Sequence, residues 1–166
     1  MSENRKVIRI EKFTDCVLEI YTLSESPVSR IELALLQHDT FGFIASIQIN
    51  YYTNALKNFA RLERLVVNSD FQRMGYGTML MAASIDHIRH HKIKFHSREI
   101  GKRIVSNLSQ SSRLESFQAS SSRGVDRIHL ECDEVLEDFY ASVGFTKTCA
   151  IQMKIDLTDL SFSSLI

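Results

Sequence analysis

The stretch from Leu62 to Met81 constrains the fold of this 166-residue chain more than any other part of the sequence. It opens with an apolar, β-branched run, passes through a turn that contains Gly75 and Gly77, and continues as a long amphipathic pattern. This order predicts a strand, a glycine-bearing turn and a helix. Such a turn points unpaired backbone N–H groups at one spot, with the positive end of the helix dipole behind them. The stretch therefore predicts an anion site suited to a phosphate or pyrophosphate.

Two common nucleotide-binding motifs do not describe this turn. A P-loop ends in Lys-Ser/Thr, which is absent here, and a dinucleotide fingerprint carries three glycines instead of two. Two glycines taken alone are typical of a tight turn. The interpretation therefore depends on the wider string around them.

The wider string resembles the cofactor motif of the GNAT superfamily of N-acetyltransferases. In that family a strand of the form Leu-x-Val is followed by Gln/Arg-x-x-Gly-x-Gly/Ala, and the turn holds the pyrophosphate of acetyl-CoA. Here Gln72, Gly75 and Gly77 fall on the signature positions. The resemblance implies that acetyl-CoA binds at this turn.

A second stretch, from Asp133 to Phe145, resembles the other half of the family signature, Asn-x-x-Ala-x-x-x-Tyr-x-x-x-Gly-Phe. Tyr140, Gly144 and Phe145 match, whereas Asp133 stands where Asn is usual and Leu136 where Ala is usual. Both stretches follow predicted strands, and together the resemblance covers about residues 60–157.

The resemblance implies an α+β fold of the α/β/α type. We expect a central mixed, mostly antiparallel sheet of six to seven strands, with a splayed parallel pair and flanking helices. The residues themselves predict β-rich runs between 6 and 68, a helix from Tyr76 to about His91, a strand over Asp126–Cys132, a helix over Glu134–Val143 and a last strand over Ala150–Leu157. One domain over residues 1–166 accounts for these elements.

Two segments depart from the family pattern. Residues 11–31 are too short and too β-rich for the one or two helices that usually wall the acceptor pocket. Residues 92–124 form an insertion with a basic amphipathic first half and a Ser-rich second half, Ser109–Gly124. The insertion is either an extra surface helix with a flexible loop or a surface for a partner, so a homodimer stays open. We expect it at the end of the central helix far from the glycine-bearing turn.

Composition and charge argue against several other classes of protein. The formal net charge is zero, so nothing indicates general attraction to nucleic acid or to an anionic membrane. The sequence holds no apolar run of membrane-spanning length and no signal-peptide pattern. Three scattered cysteines are typical of reduced thiols, which predicts a cytoplasmic protein.

Histidines near the end of the central helix are candidate metal ligands. His87 and His91 are one helical turn apart, a spacing that zinc sites use. No Cys, Asp or Glu nearby in the sequence completes a ligand set, and polar residues at a helix C-terminus are common. We therefore expect no metal.

The resemblance implies direct transfer of an acetyl group from the thioester to an amine. Tyr140 matches the tyrosine that in many family members acts as general acid toward the sulfur; the alternative is that it only packs. Glu63 lies where several members carry the base that deprotonates the amine. The alternative is a salt bridge with Arg61 or another basic residue.

Backbone groups of Val66, Val67 and Asn68 are expected to pair with the pantetheine arm, and the Val67 N–H could polarise the acetyl carbonyl. The full set of residues expected to bind acetyl-CoA is Val66, Val67, Asn68, Gln72, Arg73, Met74, Gly75, Tyr76, Gly77, Thr78, Asp133 and Tyr140.

The expected function is therefore that of an acetyl-CoA-dependent N-acetyltransferase acting on a primary amine. The acceptor stays open among small polyamine-like amines, antibiotics, peptide N-termini and protein lysines. The alternative is a catalytically weak domain that binds acetyl-CoA as a sensor or binds partners through residues 92–124.

Overall fold

The computed structural model describes residues 5–26, 29–53, 57–90, 124–149 and 152–157. Within these ranges the chain forms eight strands and two α-helices. In chain order they are β1 (Lys6–Lys12), β2 (Cys16–Glu25), β3 (Ser29–His38), β4 (Gly42–Thr53), β5 (Asn58–Val67), α1 (Tyr76–His90), β6 (Arg127–Glu131), α2 (Glu137–Ser142), β7 (Thr146–Lys147) and β8 (Gln152–Asp156).

All eight strands belong to one sheet, in the order β1-β2-β3-β4-β5-β6-β8-β7. Neighbouring strands are antiparallel except β5 and β6, which run parallel and are connected through α1. The parallel pairing starts at Phe59 with Arg127 and ends at Leu62 with Leu130, although β5 continues to Val67. The two strands therefore part beyond Leu62, which confirms the predicted mixed sheet with a splayed parallel pair.

Two details differ from the sequence prediction. The sheet has eight strands instead of six to seven, because the two residues Thr146–Lys147 pair with β8. Two residues are too few to show a period-2 pattern. The second helix starts at Glu137, after a 3₁₀ turn over Glu134–Leu136, whereas the sequence predicted a helix from Glu134.

The first part of the chain forms hairpins. A short turn over residues 13–15 connects β1 to β2, and in it the Phe13 N–H donates to the Cys16 carbonyl at 2.8 Å. The β-rich character predicted for residues 11–31 is confirmed in their described part. The predicted insertion at 92–124 lies outside the described residues, apart from Gly124.

The core lies between α1 and one face of the sheet. Side chains of β2 to β6 pack against Leu80, Met81, Ile85 and Ile88 of α1, and all four helix residues are buried. Burial of this apolar stripe, at about 25 cal/mol per Å², holds the helix on the sheet. The glycine-bearing turn connects the end of β5 to the start of this packed helix.

A β-bulge interrupts β5. The register with β4 shifts between Ser46 and Gln48, and Arg64 has a φ of +56°. The bulge shifts the alternation of side chains between the two faces of the sheet, so residues beyond Arg64 no longer follow the alternation of the first half of β5. Val67 packs toward α1 like Leu62, five positions earlier, while Val66 is exposed.

Candidate functional site

The turn after β5 leaves backbone N–H groups unpaired. The first bond of α1 runs from the Met79 N–H to the Gly75 carbonyl at 2.9 Å, so the N–H groups of Tyr76, Gly77 and Thr78 have no acceptor within the helix. Gly75 has a φ of +87°, and no atom lies within 4 Å of the position that a Cβ would take there. The turn can therefore receive an anion close to the backbone.

Two side chains hold this turn to the end of β5. The Asn68 side chain accepts a hydrogen bond from the Asp70 N–H at 3.2 Å. The Gln72 side-chain amide donates to the Val67 carbonyl at 3.1 Å. Gln72 was expected among the cofactor-binding residues, and in the structure its amide braces the turn.

The end of β5 faces β4 on one side and the gap toward β6 on the other. The Asn68 N–H donates to the Ile44 carbonyl at 2.8 Å, so this group is used within the sheet. In an antiparallel ladder every second residue points its N–H group to the same neighbouring strand. The Val66 N–H therefore also points to β4. The Val67 N–H points to the gap between β5 and β6.

Helix α2 comes close to the start of α1 and the end of β5. A Cβ on Gly77 would lie 3.4 Å from Val67 Cγ2 and 3.7 Å from Phe139 Cζ. The Phe139 ring contacts Tyr140 edge-on, with 5.0 Å between ring centroids, and Tyr140 in turn contacts Phe145 at 6.1 Å. Gly77 therefore allows a close approach of three elements that the sequence places far apart.

Tyr140 is buried, yet its hydroxyl forms no hydrogen bond with another residue in the described part of the chain. Burial raises the pKa of its phenol, and the nearby Cys132 sulfur adds to this shift. The phenol therefore stays protonated at neutral pH and can act as a proton donor.

Glu63 takes part in an ion-pair cluster on the sheet face opposite α1. Arg61 Nε lies 2.9 Å from Glu63 Oε1, and another nitrogen of Arg61 lies 3.0 Å from Glu131 Oε1. The salt bridge with Arg61 weighed from the sequence is thus present. Glu131, the second carboxylate paired with Arg61, was not predicted, because it lies on a different strand. The three side chains are partly exposed, and their formal charges sum to −1.

The remaining residues expected to bind acetyl-CoA make few contacts with other side chains of the described part of the chain. Arg73, Met74 and Thr78 are exposed, and Met74 leaves 63% of its surface uncovered. Asp133 precedes the 3₁₀ turn before α2, and its side chain makes no capping hydrogen bond. The Tyr76 hydroxyl lies 3.4 Å from Asp15 Oδ2.

Sequence reasoning missed a group of side chains beside the turn. His38 and Phe41 on the β3–β4 hairpin approach Phe71, which directly precedes the turn. No motif indicates this contact, because the residues come from separate parts of the chain.

Across the ranges given above, no three His, Cys, Asp or Glu side chains come together as a metal site. His91, weighed with His87 as a zinc ligand, lies outside those ranges. Neither of the two described helices is both long and apolar enough to cross a membrane.

Solved structures share this fold at low sequence identity. A bacterial toxin is 16% identical, with 77% of this chain and 68% of the toxin covered and a TM-score of 0.51. A KacTA–DNA complex is 15% identical, with 81% and 71% covered and a TM-score of 0.50. Glucosamine-6-phosphate N-acetyltransferase from Arabidopsis thaliana is 15% identical, with 75% and 64% covered and a TM-score of 0.48. At these identities the likeness to the toxin and to the KacTA–DNA complex concerns the fold alone.

None of the curated proteins matches the sequence significantly. The sequence model of the acetyltransferase (GNAT) family matches residues 12–102, more than half of the chain. This range contains β2 to β5, the glycine-bearing turn and α1. The chain therefore belongs to the GNAT family of acetyltransferases.

Proposed function

We propose that the protein is an acetyl-CoA-dependent N-acetyltransferase that moves an acetyl group directly to a primary amine of an acceptor. The observation that carries the proposal is the meeting of three elements around Gly77: the end of β5, the glycine-bearing turn, and the part of α2 with Phe139 and Tyr140. Membership of the family supports the same reaction.

The residues around the turn fit acetyl-CoA. The unpaired N–H groups of Tyr76, Gly77 and Thr78 suit a pyrophosphate, and Gly75 leaves the approach open. The Val67 N–H in the gap between β5 and β6 suits the pantetheine arm, which would pair like an added strand, or the acetyl carbonyl. Acetyl-CoA supplies an acetyl group activated as a thioester.

The proposed reaction forms a bond between the acceptor nitrogen and the acetyl carbon and breaks the carbon–sulfur bond. The amine loses a proton and the departing sulfur gains one. Tyr140 is the proposed donor to the sulfur, since burial keeps its phenol protonated. Glu63 is the proposed acceptor of the amine's proton, directly or through water.

The ion pair of Glu63 supports a second candidate function. Glu63 Oε1 already pairs with Arg61 Nε, which gives the carboxylate a structural role that involves no proton transfer. A domain in which this contact persists would bind acetyl-CoA with little turnover, as a sensor or a partner-binding domain. Both candidate functions require acetyl-CoA binding, and only the first requires turnover.

One experiment separates them. Acetyl-CoA binding is measured by calorimetry, and CoA release is followed with polyamines, aminoglycosides, peptides with free N-termini and lysine-containing peptides. Binding with CoA release on at least one amine supports the enzyme. Binding without release on any of them supports the second candidate, and absence of binding contradicts both.

We also infer a cytoplasmic location. The three cysteines, Cys16, Cys132 and Cys149, are all free thiols in the structure. Burial raises the pKa of the Cys16 and Cys132 thiols, so both stay protonated at neutral pH. Free thiols in a small domain are typical of a reducing compartment.

A further inference from the structure

We propose that an aromatic cluster beside the glycine-bearing turn is a stacking platform for the purine base of the bound cofactor. This inference rests on the proposed binding of acetyl-CoA. We define the aromatic cluster as His38 and Phe41 on the β3–β4 hairpin, Phe71 before the turn and Tyr76 at the start of α1. Its rings follow one another, with centroid distances of 4.8 Å from His38 to Phe41, 6.4 Å from Phe41 to Phe71 and 5.7 Å from Phe71 to Tyr76.

Phe41 is the exposed end of this cluster. It leaves 72% of its surface uncovered, whereas Phe71 and Tyr76 are half-buried and pack against the core. An aromatic ring with an open face can stack on a nucleobase, because every base has a π-face.

The hairpin holds Phe41 in place before any ligand arrives. His38 Nδ1 accepts hydrogen bonds from the N–H groups of Thr40 at 3.0 Å and of Phe41 at 3.3 Å. The other ring nitrogen of His38 lies 3.9 Å from Asp15 Oδ2, and the Tyr76 hydroxyl approaches the same carboxylate. A site that is already ordered before the ligand binds reduces the entropic cost of binding.

The position of the aromatic cluster fits the nucleotide half of the cofactor. The gap proposed for the pantetheine arm lies between β5 and β6. His38 and Phe41 belong to the hairpin that ends in β4, on the opposite side of β5. A molecule whose pyrophosphate sits on the turn at the end of β5 can extend its pantetheine arm to one side and its nucleoside to the other.

The charges near the aromatic cluster favour a neutral ring over a phosphate. Asp15 and Asp39 flank His38 in the two hairpins, and Asp15 is shared between His38 and Tyr76. Two carboxylates repel an anion, so the uncharged base fits beside them and the 3′-phosphate of the nucleoside would point away from them.

The test compares two ligands on matched variants. Acetyl-CoA carries the adenine nucleotide, and acetyl-4′-phosphopantetheine lacks it. We expect Phe41→Ala to weaken acetyl-CoA binding roughly tenfold, within the range for loss of one base–aromatic stack, and to leave acetyl-4′-phosphopantetheine binding unchanged. Phe41→Trp should keep the affinity for acetyl-CoA. The control Phe43→Ala removes another partly exposed ring of the same hairpin, outside the aromatic cluster, and should change neither affinity.

Acetyl-dephospho-CoA, which keeps the base and lacks the 3′-phosphate, should show the same loss with Phe41→Ala. The proposal is contradicted if Phe41→Ala binds acetyl-CoA as tightly as the wild type, or if the substitution lowers the affinities for acetyl-CoA and acetyl-4′-phosphopantetheine equally. It is also contradicted if Phe41→Ala does not lower the affinity for acetyl-dephospho-CoA. Wild-type binding of acetyl-CoA in those cases leaves the proposed function intact. Failure of the wild type to bind either ligand would contradict both proposals. Melting curves show that each variant is folded, and Phe41→Leu is the substitute if Phe41→Ala is not.

Discussion

His87 Nε2 lies 2.8 Å from Oε2 of Glu32, and both side chains are buried between α1 and β3. The same oxygen accepts a hydrogen bond from the Tyr51 hydroxyl at 3.0 Å, and Arg30 Nε lies 2.7 Å from the other oxygen. Burial raises the pKa of Tyr51 well above its usual value, with Glu32 adding to the shift, so this phenol stays a donor. The carboxylate therefore joins the far end of α1 to two central strands.

Glu32→Ala is expected to destabilise the fold by about 3–5 kcal/mol. Arg30 loses its buried counter-ion, and His87 and Tyr51 lose a buried hydrogen-bond partner. Urea unfolding measures the change. The double variant Glu32→Leu/His87→Leu should lose less than the sum of its single changes, and strict additivity would show that the contact contributes nothing. His90→Leu, on the exposed side of the same helix, is the control and should change stability by less than about 0.5 kcal/mol.

The buried contact also shows where sequence reasoning stops. The strand, the glycine-bearing turn and the helix followed from local patterns, and the family motif set their order. His87 was weighed only with neighbouring histidines, because its partner Glu32 lies 55 positions away. The bulge at Arg64 has no glycine to indicate it. The first depends on how β3 and α1 pack and the second on how β4 pairs with β5, which no local pattern records.

Gly75→Asp is expected to abolish acetyl-CoA binding. The residue sits at a φ of +87°, so any side chain is strained, and the added carboxylate would face the pyrophosphate. Gly75→Ala adds the strain without the charge and should retain part of the affinity. Calorimetry on both folded variants separates the two effects. Unchanged affinity in Gly75→Asp would remove the turn from the cofactor site.

Tyr140→Phe is expected to lower turnover about 100-fold, the low end for general acid catalysis, and to leave acetyl-CoA affinity nearly unchanged. The ring contacts with Phe139 and Phe145 survive, and only the hydroxyl is lost. Since burial raises the pKa of Tyr140, loss of this proton should not slow the wild-type enzyme until the pH exceeds about 10. Tyr21→Phe, on β2, is the control. A Tyr140→Phe enzyme as fast as the wild type would leave Tyr140 a packing residue.

Glu63→Gln and Glu131→Gln form a matched pair, because each removes one carboxylate from Arg61 and both side chains are partly exposed. If Glu63 takes the proton of the amine, Glu63→Gln should slow turnover at neutral pH and recover partly at higher pH, where more of the amine is already unprotonated. Glu131→Gln should change the rate little at any pH. Turnover is measured as CoA release across the pH range, with a good acceptor. Equal effects of the two substitutions would mean that Glu63 acts only as a partner of Arg61, and the proton would then pass to water or to another group.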